Sequence, residues 1–167
     1  MSASPNPLDA AEPAVRALAE ALVARGLTLA TAESCTGGLI AAACTAVAGS
    51  SAWFERGVVT YSNEAKTALL GVPPPTIARH GAVSAEVARA MAEGTLAHTP
   101  AALALAVSGV AGPGGGSPDK PVGTVWLGVA LRGGASTVHQ LQLDGDRAAI
   151  RLQTVLQALA AGQAALG

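Results

Sequence analysis

Apolar positions recur along the chain with two periods, one typical of helices and one typical of strands. The helical pattern predicts helices at Leu8–Arg25, Leu39–Val47, Glu64–Leu70, Thr76–His80, Ser84–Ala97 and Asp146–Ala161. Short apolar runs predict strands at Leu27–Thr31, Arg56–Ser62, Ala101–Val107, Val122–Leu131 and Ser136–Leu143. Helices alternate with strands early, and the last two strands form a hairpin across Arg132–Gly134. This order predicts an α/β fold, a three-layer α/β/α sandwich around a mixed, mostly parallel sheet with one antiparallel strand.

The ends of these elements follow from local residue preferences. In the first helix, one stripe of apolar residues is expected to face the core: Leu8, Ala11, Val15, Leu18, Leu22 and Val23. Gly26 is expected to end that helix. Asn63 is expected to cap the short helix after the second strand. Pro73–Pro75 is expected to form an extended link.

Composition narrows the class of protein. Hydrophobic residues make up 50% of the 167 residues and aromatic residues only 2%, so the core must be built from Ala, Leu and Val. A length of this order fits one domain, expected at residues 8–167 after a mobile tail at residues 1–7. Charged residues are only 13%, which favours a subunit interface and therefore a homo-oligomer.

Charge and patterning exclude several partners. The net charge of −1 gives no basic character for nucleic-acid binding. No apolar run reaches the roughly 18 residues that a membrane span needs. The amino-terminal residues do not read as a signal peptide, so a cytoplasmic location is expected. Cys35 and Cys44 form no metal-ligand spacing, and neither a metal nor a cofactor is predicted.

Reactive groups concentrate in one predicted strand-to-helix turn, residues 31–38. The turn reads Thr-Ala-Glu-Ser-Cys-Thr-Gly-Gly, and ligands of open α/β sheets bind beyond the carboxyl ends of the strands. Ser34 is a candidate nucleophile, although serine is also a preferred helix cap. Cys35 is its rival, because a helix start lowers the pKa of a thiol, although a free cysteine is more often simply buried.

Three further features could contribute to a site, and each has a simpler explanation. Tyr61 and Lys66 follow the second strand, where a desolvated lysine could act as a base or, alternatively, lie on the surface. The glycine-rich segment Gly109–Pro121 could form an anion-binding nest or a flexible excursion. Arg147 could bind a phosphate or carboxylate, or simply lie in the first turn of the last helix.

Taken together, these segments resemble the CinA C-terminal domain family, whose characterised enzymes are nicotinamide-nucleotide amidohydrolases. The resemblance covers about residues 8–160 and rests on several motifs in order: Thr-Ala-Glu-Ser-Cys-Thr-Gly-Gly, Gly-Val-Val-Thr-Tyr-Ser-Asn-Glu-Ala-Lys, Ser-Gly-Val-Ala-Gly-Pro-Gly-Gly-Gly and Lys-Pro-Val-Gly-Thr-Val-Trp. It implies an α/β/α fold and hydrolysis of nicotinamide mononucleotide to nicotinic acid mononucleotide and ammonia, a step of pyridine-nucleotide salvage. Longer members have an additional amino-terminal domain, and this chain is similar to the stand-alone form.

The resemblance also implies roles for individual residues. Ser34 would be the nucleophile, Lys66 its base and Tyr61 a proton relay or a group that orients the lysine. Substrate-binding positions would be Glu33, Thr36, Gly37, Gly38, Ser108, Gly109, Ala111, Gly112, Gly114, Gly115 and Arg147. The oxyanion would lie on amides of the helix start or of the Ser108–Gly109 turn. Gly114 departs from members that have an acidic residue there. A non-enzymatic nucleotide-binding module and an amidohydrolase for another carboxamide stay open as alternatives.

Overall fold

The computed structural model describes residues 6–167. It contains six α-helices and five strands in the described range, in an α/β order. The helices are α1 (Glu12–Arg25), α2 (Leu39–Ala46), α3 (Asn63–Leu70), α4 (Pro74–His80), α5 (Ala85–Ala97) and α6 (Arg147–Ala165). The strands are β1 (Leu29–Glu33), β2 (Phe54–Val59), β3 (Leu103–Gly109), β4 (Thr124–Leu131) and β5 (Ser136–Gln142). Short 3-10 helices lie at Pro7–Ala11 and Ser50–Ala52.

The five strands form one mixed sheet in the order β2-β1-β3-β4-β5. Strand β1 pairs in parallel with both β2 and β3, whereas β4 is antiparallel to β3 and to β5. Four strands therefore run in one direction and β4 alone runs against them, which confirms the predicted mixed, mostly parallel sheet. The carboxyl ends of β1, β2 and β3 consequently lie side by side at one edge of the sheet.

Side-chain alternation along β3 divides the core into two layers. Leu103, Leu105 and Val107 join a large apolar cluster with residues of α1, α2 and α6. Ala104 and Ala106 join a second cluster with residues of α3, α4 and α5. The alanine face lets α5 approach the sheet closely: a Cβ at Gly128 would lie 2.3 Å from the Ala88 carbonyl oxygen. Helices thus cover both faces, as expected for a three-layer sandwich.

Strand β1 ends two residues later than the sequence predicts, at Glu33 rather than Thr31. It also begins two residues later than predicted, at Leu29, because Gly26 in the left-handed region ends α1 as predicted and Leu27 N–H donates to the Leu22 carbonyl. Leu27 therefore belongs to the helix cap and not to the strand. The shift places Glu33 inside the sheet and Ser34 first in the turn.

Two predicted helix starts are wrong by one or a few residues. Ser62, not Asn63, caps α3, because the Ser62 hydroxyl accepts from the Ala65 amide at 3.0 Å. The proline run is not a wholly extended link, since Pro74 begins α4, where a missing N–H has no helical partner to lose.

The amino-terminal region also differs from its prediction. Asn6 caps the 3-10 helix that begins at Pro7, so these two residues are not part of a tail, and the rest of the predicted tail lies outside the described residues. Val23 is 56% exposed, which corrects its place in the buried stripe of α1. Among residues 6–167, no helix is both long enough and apolar enough to cross a membrane.

Candidate active site

A cavity of about 210 Å³ opens at the edge where β1, β2 and β3 end. The residues that line it come from five segments of the chain, the last of which is the start of α6 with Arg147. They are Ser34 and Cys35, then Tyr61, Asn63 and Lys66, then Ala82 and Val83, and finally Ser108, Gly109, Ala111 and Arg147. The fold therefore brings the predicted nucleophile, its predicted base and the predicted arginine to one cavity, although 113 positions separate Ser34 from Arg147 in sequence.

Ser34 and Lys66 are in direct contact. The Lys66 Nζ atom lies 3.1 Å from the Ser34 hydroxyl oxygen. The lysine also donates to the carbonyl oxygens of Thr60, at 2.9 Å, and Tyr61, at 3.2 Å. Because α3 begins just after these carbonyls, its first turn points the Lys66 side chain back toward the strand end.

Lys66 is buried with only uncharged acceptors around it. Its exposed fraction is 1%, and no carboxylate within residues 6–167 forms a salt bridge with it. Burial lowers the pKa of its amine below the usual value of 10.5, and only the neighbouring Cys35 opposes that shift. The amine donates to the Ser34 oxygen as well as to the two carbonyls, and the Ser34 hydroxyl donates to the Tyr61 carbonyl at 3.5 Å. Burial shifts the lysine toward its neutral form, which has a lone pair that can accept a proton.

Cys35 lies beside Ser34 but is a poor nucleophile. The thiol is 6% exposed, and burial raises its pKa from 9.0 to about 11. A helix start beside the thiol would lower this pKa, but α2 begins only at Leu39, four residues further on. The raised pKa keeps Cys35 in its thiol form at neutral pH, which makes it less reactive as a nucleophile.

Glu33 lies beneath the turn and not in the cavity. Alternation along β1 points its side chain toward α2, where its carboxylate accepts from the Ile40 amide at 2.8 Å and the Ala41 amide at 3.0 Å. The Thr36 hydroxyl donates to the same carboxylate at 2.6 Å. The sequence predicts that Glu33 and Thr36 bind substrate, but the Glu33 carboxylate and the Thr36 hydroxyl are engaged with each other and with the start of α2. The Glu33 carboxylate, and not Ser34, therefore accepts from the first amides of α2. The sequence predicts that amides of this helix start bind the oxyanion, but these two amides already donate to Glu33.

Gly37 and Gly38 shape the turn instead of lining the cavity. Both have left-handed backbone conformations, with φ of 59° and 104°. These conformations reverse the chain between the nucleophile and α2, which a side chain would oppose. The two glycines predicted to bind substrate therefore act on the backbone path below the cavity.

Tyr61 and Arg147 stand together at the mouth of the cavity. Tyr61 is 61% exposed, and its hydroxyl accepts from Arg147 Nη2 at 3.4 Å. Arg147 Nη1 donates to the Gly112 carbonyl at 2.9 Å. It is therefore the carbonyl of Tyr61, and not its phenol, that contacts Lys66.

The glycine-rich segment contributes its first residues to the cavity and its later ones to solvent. The Ser108 hydroxyl donates to the Ala82 carbonyl at 2.8 Å, so it fixes the opposite wall. A Cβ at Gly109 would lie 2.9 Å from the Thr124 carbonyl oxygen, so glycine is needed there for packing against β4. Ala111 lines the cavity as predicted, whereas Gly114 and Gly115 are exposed and do not line it.

A second cavity of about 530 Å³ adjoins the first. Ala111 and Arg147 line both, and the second is completed by residues of the loop and of the start of α6: Pro113, Val122, Gly145, Asp146 and Ala148. Gly112 borders this region through its hydrogen bond to Arg147, and a Cβ there would lie 2.5 Å from the Val122 side chain. The two cavities thus lie on either side of a shared wall that contains Ala111 and Arg147.

Several residues at the site were missed by sequence reasoning. Ala82 and Val83 form a wall of the cavity, and no motif marks them. Asn63 lines the cavity because Ser62 takes its expected capping role. Arg151 donates to two carbonyls of the turn that follows Ser34. Its spacing of four residues from Arg147 was a usable signal, because it predicts that the two arginines lie on one face of α6. Within residues 6–167, no group of three or more His, Cys, Asp or Glu residues could hold a metal ion.

Comparisons with known proteins match both the fold and these motifs. A model of the CinA C-terminal domain family matches residues 11–166. The chain is 54% identical over 140 residues to the nicotinamide-nucleotide amidohydrolase PncC of Escherichia coli K12, covering 84% of this chain and 85% of that protein.

It is also 61% identical over 134 residues to a CinA-like protein of Geobacter sp. strain M21, covering 80% of this chain but only 32% of that longer protein. The crystal structure of the competence/damage inducible protein CihA from Agrobacterium tumefaciens superposes with a TM-score of 0.90 at 47% identity, covering 99% of both chains. The chain belongs to the CinA C-terminal domain family.

Proposed function

We propose that this protein hydrolyses the carboxamide of nicotinamide mononucleotide to nicotinic acid mononucleotide and ammonia, with Ser34 as nucleophile and Lys66 as base. The central observation is the 3.1 Å contact between the buried Lys66 amine and the Ser34 hydroxyl. The 54% identity to a protein named nicotinamide-nucleotide amidohydrolase supports the choice of substrate. The reaction would serve pyridine-nucleotide salvage.

In the first half of the reaction, Ser34 attacks the carboxamide carbon while its proton passes to the Lys66 amine. A bond forms between the serine oxygen and that carbon, and the amide oxygen becomes an oxyanion. The Lys66 ammonium then gives the proton to the amide nitrogen, the carbon–nitrogen bond breaks and ammonia leaves. The carbonyls of Thr60 and Tyr61 hold the lysine amine in place throughout.

In the second half, water attacks the resulting ester and Lys66 again takes the proton. The carbon–oxygen bond to Ser34 breaks, the serine oxygen regains the proton and the acid is released. These steps use only groups of the chain and water, so the proposal requires no cofactor. The proposed steps pass no proton through the phenol of Tyr61, whose hydroxyl accepts from Arg147.

The oxyanion needs amide donors near Ser34, and removing one such donor typically lowers the rate by about 100- to 1,000-fold. The amides of Ile40 and Ala41 are engaged by Glu33. Cys35 directly follows Ser34. Within residues 6–167, the amides of Cys35 and Thr36 donate to no other residue. We assign the oxyanion to these two amides.

The two neighbouring cavities, which share Ala111 and Arg147, suggest how a nucleotide lies. The inner cavity of about 210 Å³ holds the reactive pair and suits a single aromatic ring. The outer cavity of about 530 Å³ suits a ribose and its 5′-phosphate. Arg147, which lines both, is positioned to pair with the phosphate.

An ammonia-release assay with a substrate panel tests the function. We expect turnover of nicotinamide mononucleotide, slower turnover of nicotinamide riboside and nicotinamide, and loss of about 10⁶-fold in Ser34→Ala. Preference for another carboxamide would favour the alternative amidohydrolase. Tight binding of nicotinamide mononucleotide without ammonia release would favour a nucleotide-binding module. Cytoplasmic location and homo-oligomer formation stay predictions.

A further inference from the structure

The Arg151 guanidinium contacts the backbone of the turn that follows Ser34 and does not line the cavity. Its Nε donates to the Cys35 carbonyl at 3.1 Å and its Nη2 to the Thr36 carbonyl at 3.0 Å. Arg147, one turn earlier on the same face of α6, reaches the cavity itself. Helix α6 thus presents Arg147 to the cavity and Arg151 to the backbone of the turn.

Each of these contacts fixes the direction of an amide. In a trans peptide the C=O and N–H groups point in opposite directions. Holding the Cys35 carbonyl toward Arg151 therefore turns the Thr36 amide away from Arg151. In the same way, holding the Thr36 carbonyl turns the Gly37 amide away, and that amide donates to the Ser34 carbonyl at 3.0 Å.

The chain of contacts continues to the amide that follows the nucleophile. Because the Ser34 carbonyl is held by Gly37, the Cys35 amide of the same peptide points in the opposite direction. In hydrolases with a nucleophile on a strand-to-helix turn, the amide of the following residue stabilises the oxyanion. Arg151 thus directs the Thr36 amide through the Cys35 carbonyl. It supports the Cys35 amide indirectly, through the Thr36 carbonyl, which also accepts from the Leu39 amide.

We propose that Arg151 is a positioning residue, which holds two backbone carbonyls so that the Cys35 and Thr36 amides are preorganised for the oxyanion. The proposal rests on the proposed function in that Ser34 is taken as the nucleophile. Arginine suits the role because its planar guanidinium donates two bonds in fixed geometry, whereas lysine is a single point of charge. The guanidinium makes no contact that the proposed substrate needs, so its effect is on the transition state.

Arg151→Ala should lower kcat for nicotinamide mononucleotide by about 100-fold with KM nearly unchanged, since misplacing such groups by about 1 Å can cost that much. The kcat of Arg151→Lys should lie between those of the wild type and of Arg151→Ala. Added guanidinium ion at millimolar concentration should restore part of the kcat of Arg151→Ala. A merely structural role predicts neither a selective loss of kcat nor rescue.

Arg132→Ala is the matched control. Arg132 also donates to backbone carbonyls, those of Leu96, Thr99 and Ala101, at the opposite edge of the sheet. We expect this variant to lose stability without a selective loss of kcat and without rescue. Equal kcat in Arg151→Ala and the wild type, or an equal loss and rescue in Arg132→Ala, would overturn the proposal.

A second readout does not depend on the substrate. The rate at which a fluorophosphonate labels Ser34, followed by intact mass, also requires oxyanion stabilisation. We expect slower labelling in Arg151→Ala and unchanged labelling in Arg132→Ala. A wild-type protein that is labelled at Ser34 but releases no ammonia would refute the proposed substrate, while the labelling rates would still decide the role of Arg151. A wild type that is not labelled would contradict both.

Discussion

Glu33 and Lys66 are both ionisable, both 1% exposed and both located at the carboxyl edge of the sheet, yet their surroundings differ completely. Two backbone amides and a hydroxyl donate to Glu33, at distances of 2.6 to 3.0 Å. Lys66 has two carbonyls and the Ser34 hydroxyl, all uncharged. The carboxylate is buried with its charge compensated, and the amine is buried where its charge is disfavoured.

This difference separates a structural group from a reactive one. Hydrogen bonds to a carboxylate are charge-assisted and lock Glu33 into the start of α2. Lys66 donates to the Ser34 hydroxyl oxygen, and burial holds the pKa of its amine below the ordinary value. Burial of an ionisable side chain at a strand end is therefore not enough to mark a catalytic group, because the partner atoms decide its role.

The largest expected effect is on Lys66→Met, which removes the amine and keeps an apolar stem of similar length. We expect ammonia release to fall by about 10⁴-fold or more, because the base and the nucleophile act as a unit. Steady-state kinetics with nicotinamide mononucleotide measure it. Lys120→Met is the matched control, since the Lys120 side-chain amine donates to a backbone carbonyl, that of His80, at 2.7 Å. Loss of the same size in both variants would remove the distinction drawn for Lys66.

The second effect is the pH dependence of the rate. Only the neutral amine can accept the serine proton, so kcat should rise with pH until it passes the pKa of Lys66 and then level off. Burial lowers that pKa from 10.5, so the plateau should begin below pH 10.5. Below the pKa, each unit of pH should lower kcat about tenfold. A profile measured on the wild type would contradict the assignment if it were flat throughout or still rising above pH 10.5.

The third effect concerns stability. Glu33→Gln removes the carboxylate charge and turns an N–H donor toward the α2 amides, so the free energy of unfolding should fall by about 1–3 kcal/mol. Urea unfolding measures the change. Glu86→Gln is the control, because Glu86 lies in the first turn of α5 but is half exposed, and its change should stay within about 1 kcal/mol. A kcat loss in folded Glu33→Gln as large as that of Lys66→Met would mean that the carboxylate also takes part in the chemistry.

The smallest effect is expected at the cysteines. Cys35→Ala should retain kcat within a factor of about ten, because the thiol stays protonated and makes no bond to substrate. Cys44→Ala is the matched control within α2, where burial raises the pKa of Cys44 to about 12. Alkylation by iodoacetamide, followed by mass, should be slow at both thiols in the native protein. A loss of activity in Cys35→Ala that matched Ser34→Ala would reverse the choice of nucleophile.

The elements of the fold were largely predictable, because their signals are local. The Gly26 stop and the Ser84 cap stand where expected, as does the hairpin across Arg132–Gly134. The errors fell at boundaries such as Ser62 and Pro74, where neighbouring residues compete for one role. The apolar stripe predicts that Val23 is buried, but periodicity does not define where the buried face of a helix ends. The packing of α1 decides which positions at that boundary are covered, and Val23 is exposed.

The candidate site was predictable as a set of residue types and through family resemblance, but its geometry was not. The sequence by itself determined that an apolar α/β chain has a turn rich in nucleophiles after its first strand. Tertiary structure decided that Lys66 reaches Ser34, that Glu33 serves α2 and that Arg151 holds the turn. These contacts span up to 116 positions, and no local pattern encodes a partner at such a distance. Hydrophobic periodicity reports which face of an element is buried, whereas a hydrogen bond depends on where the packed elements bring two particular atoms.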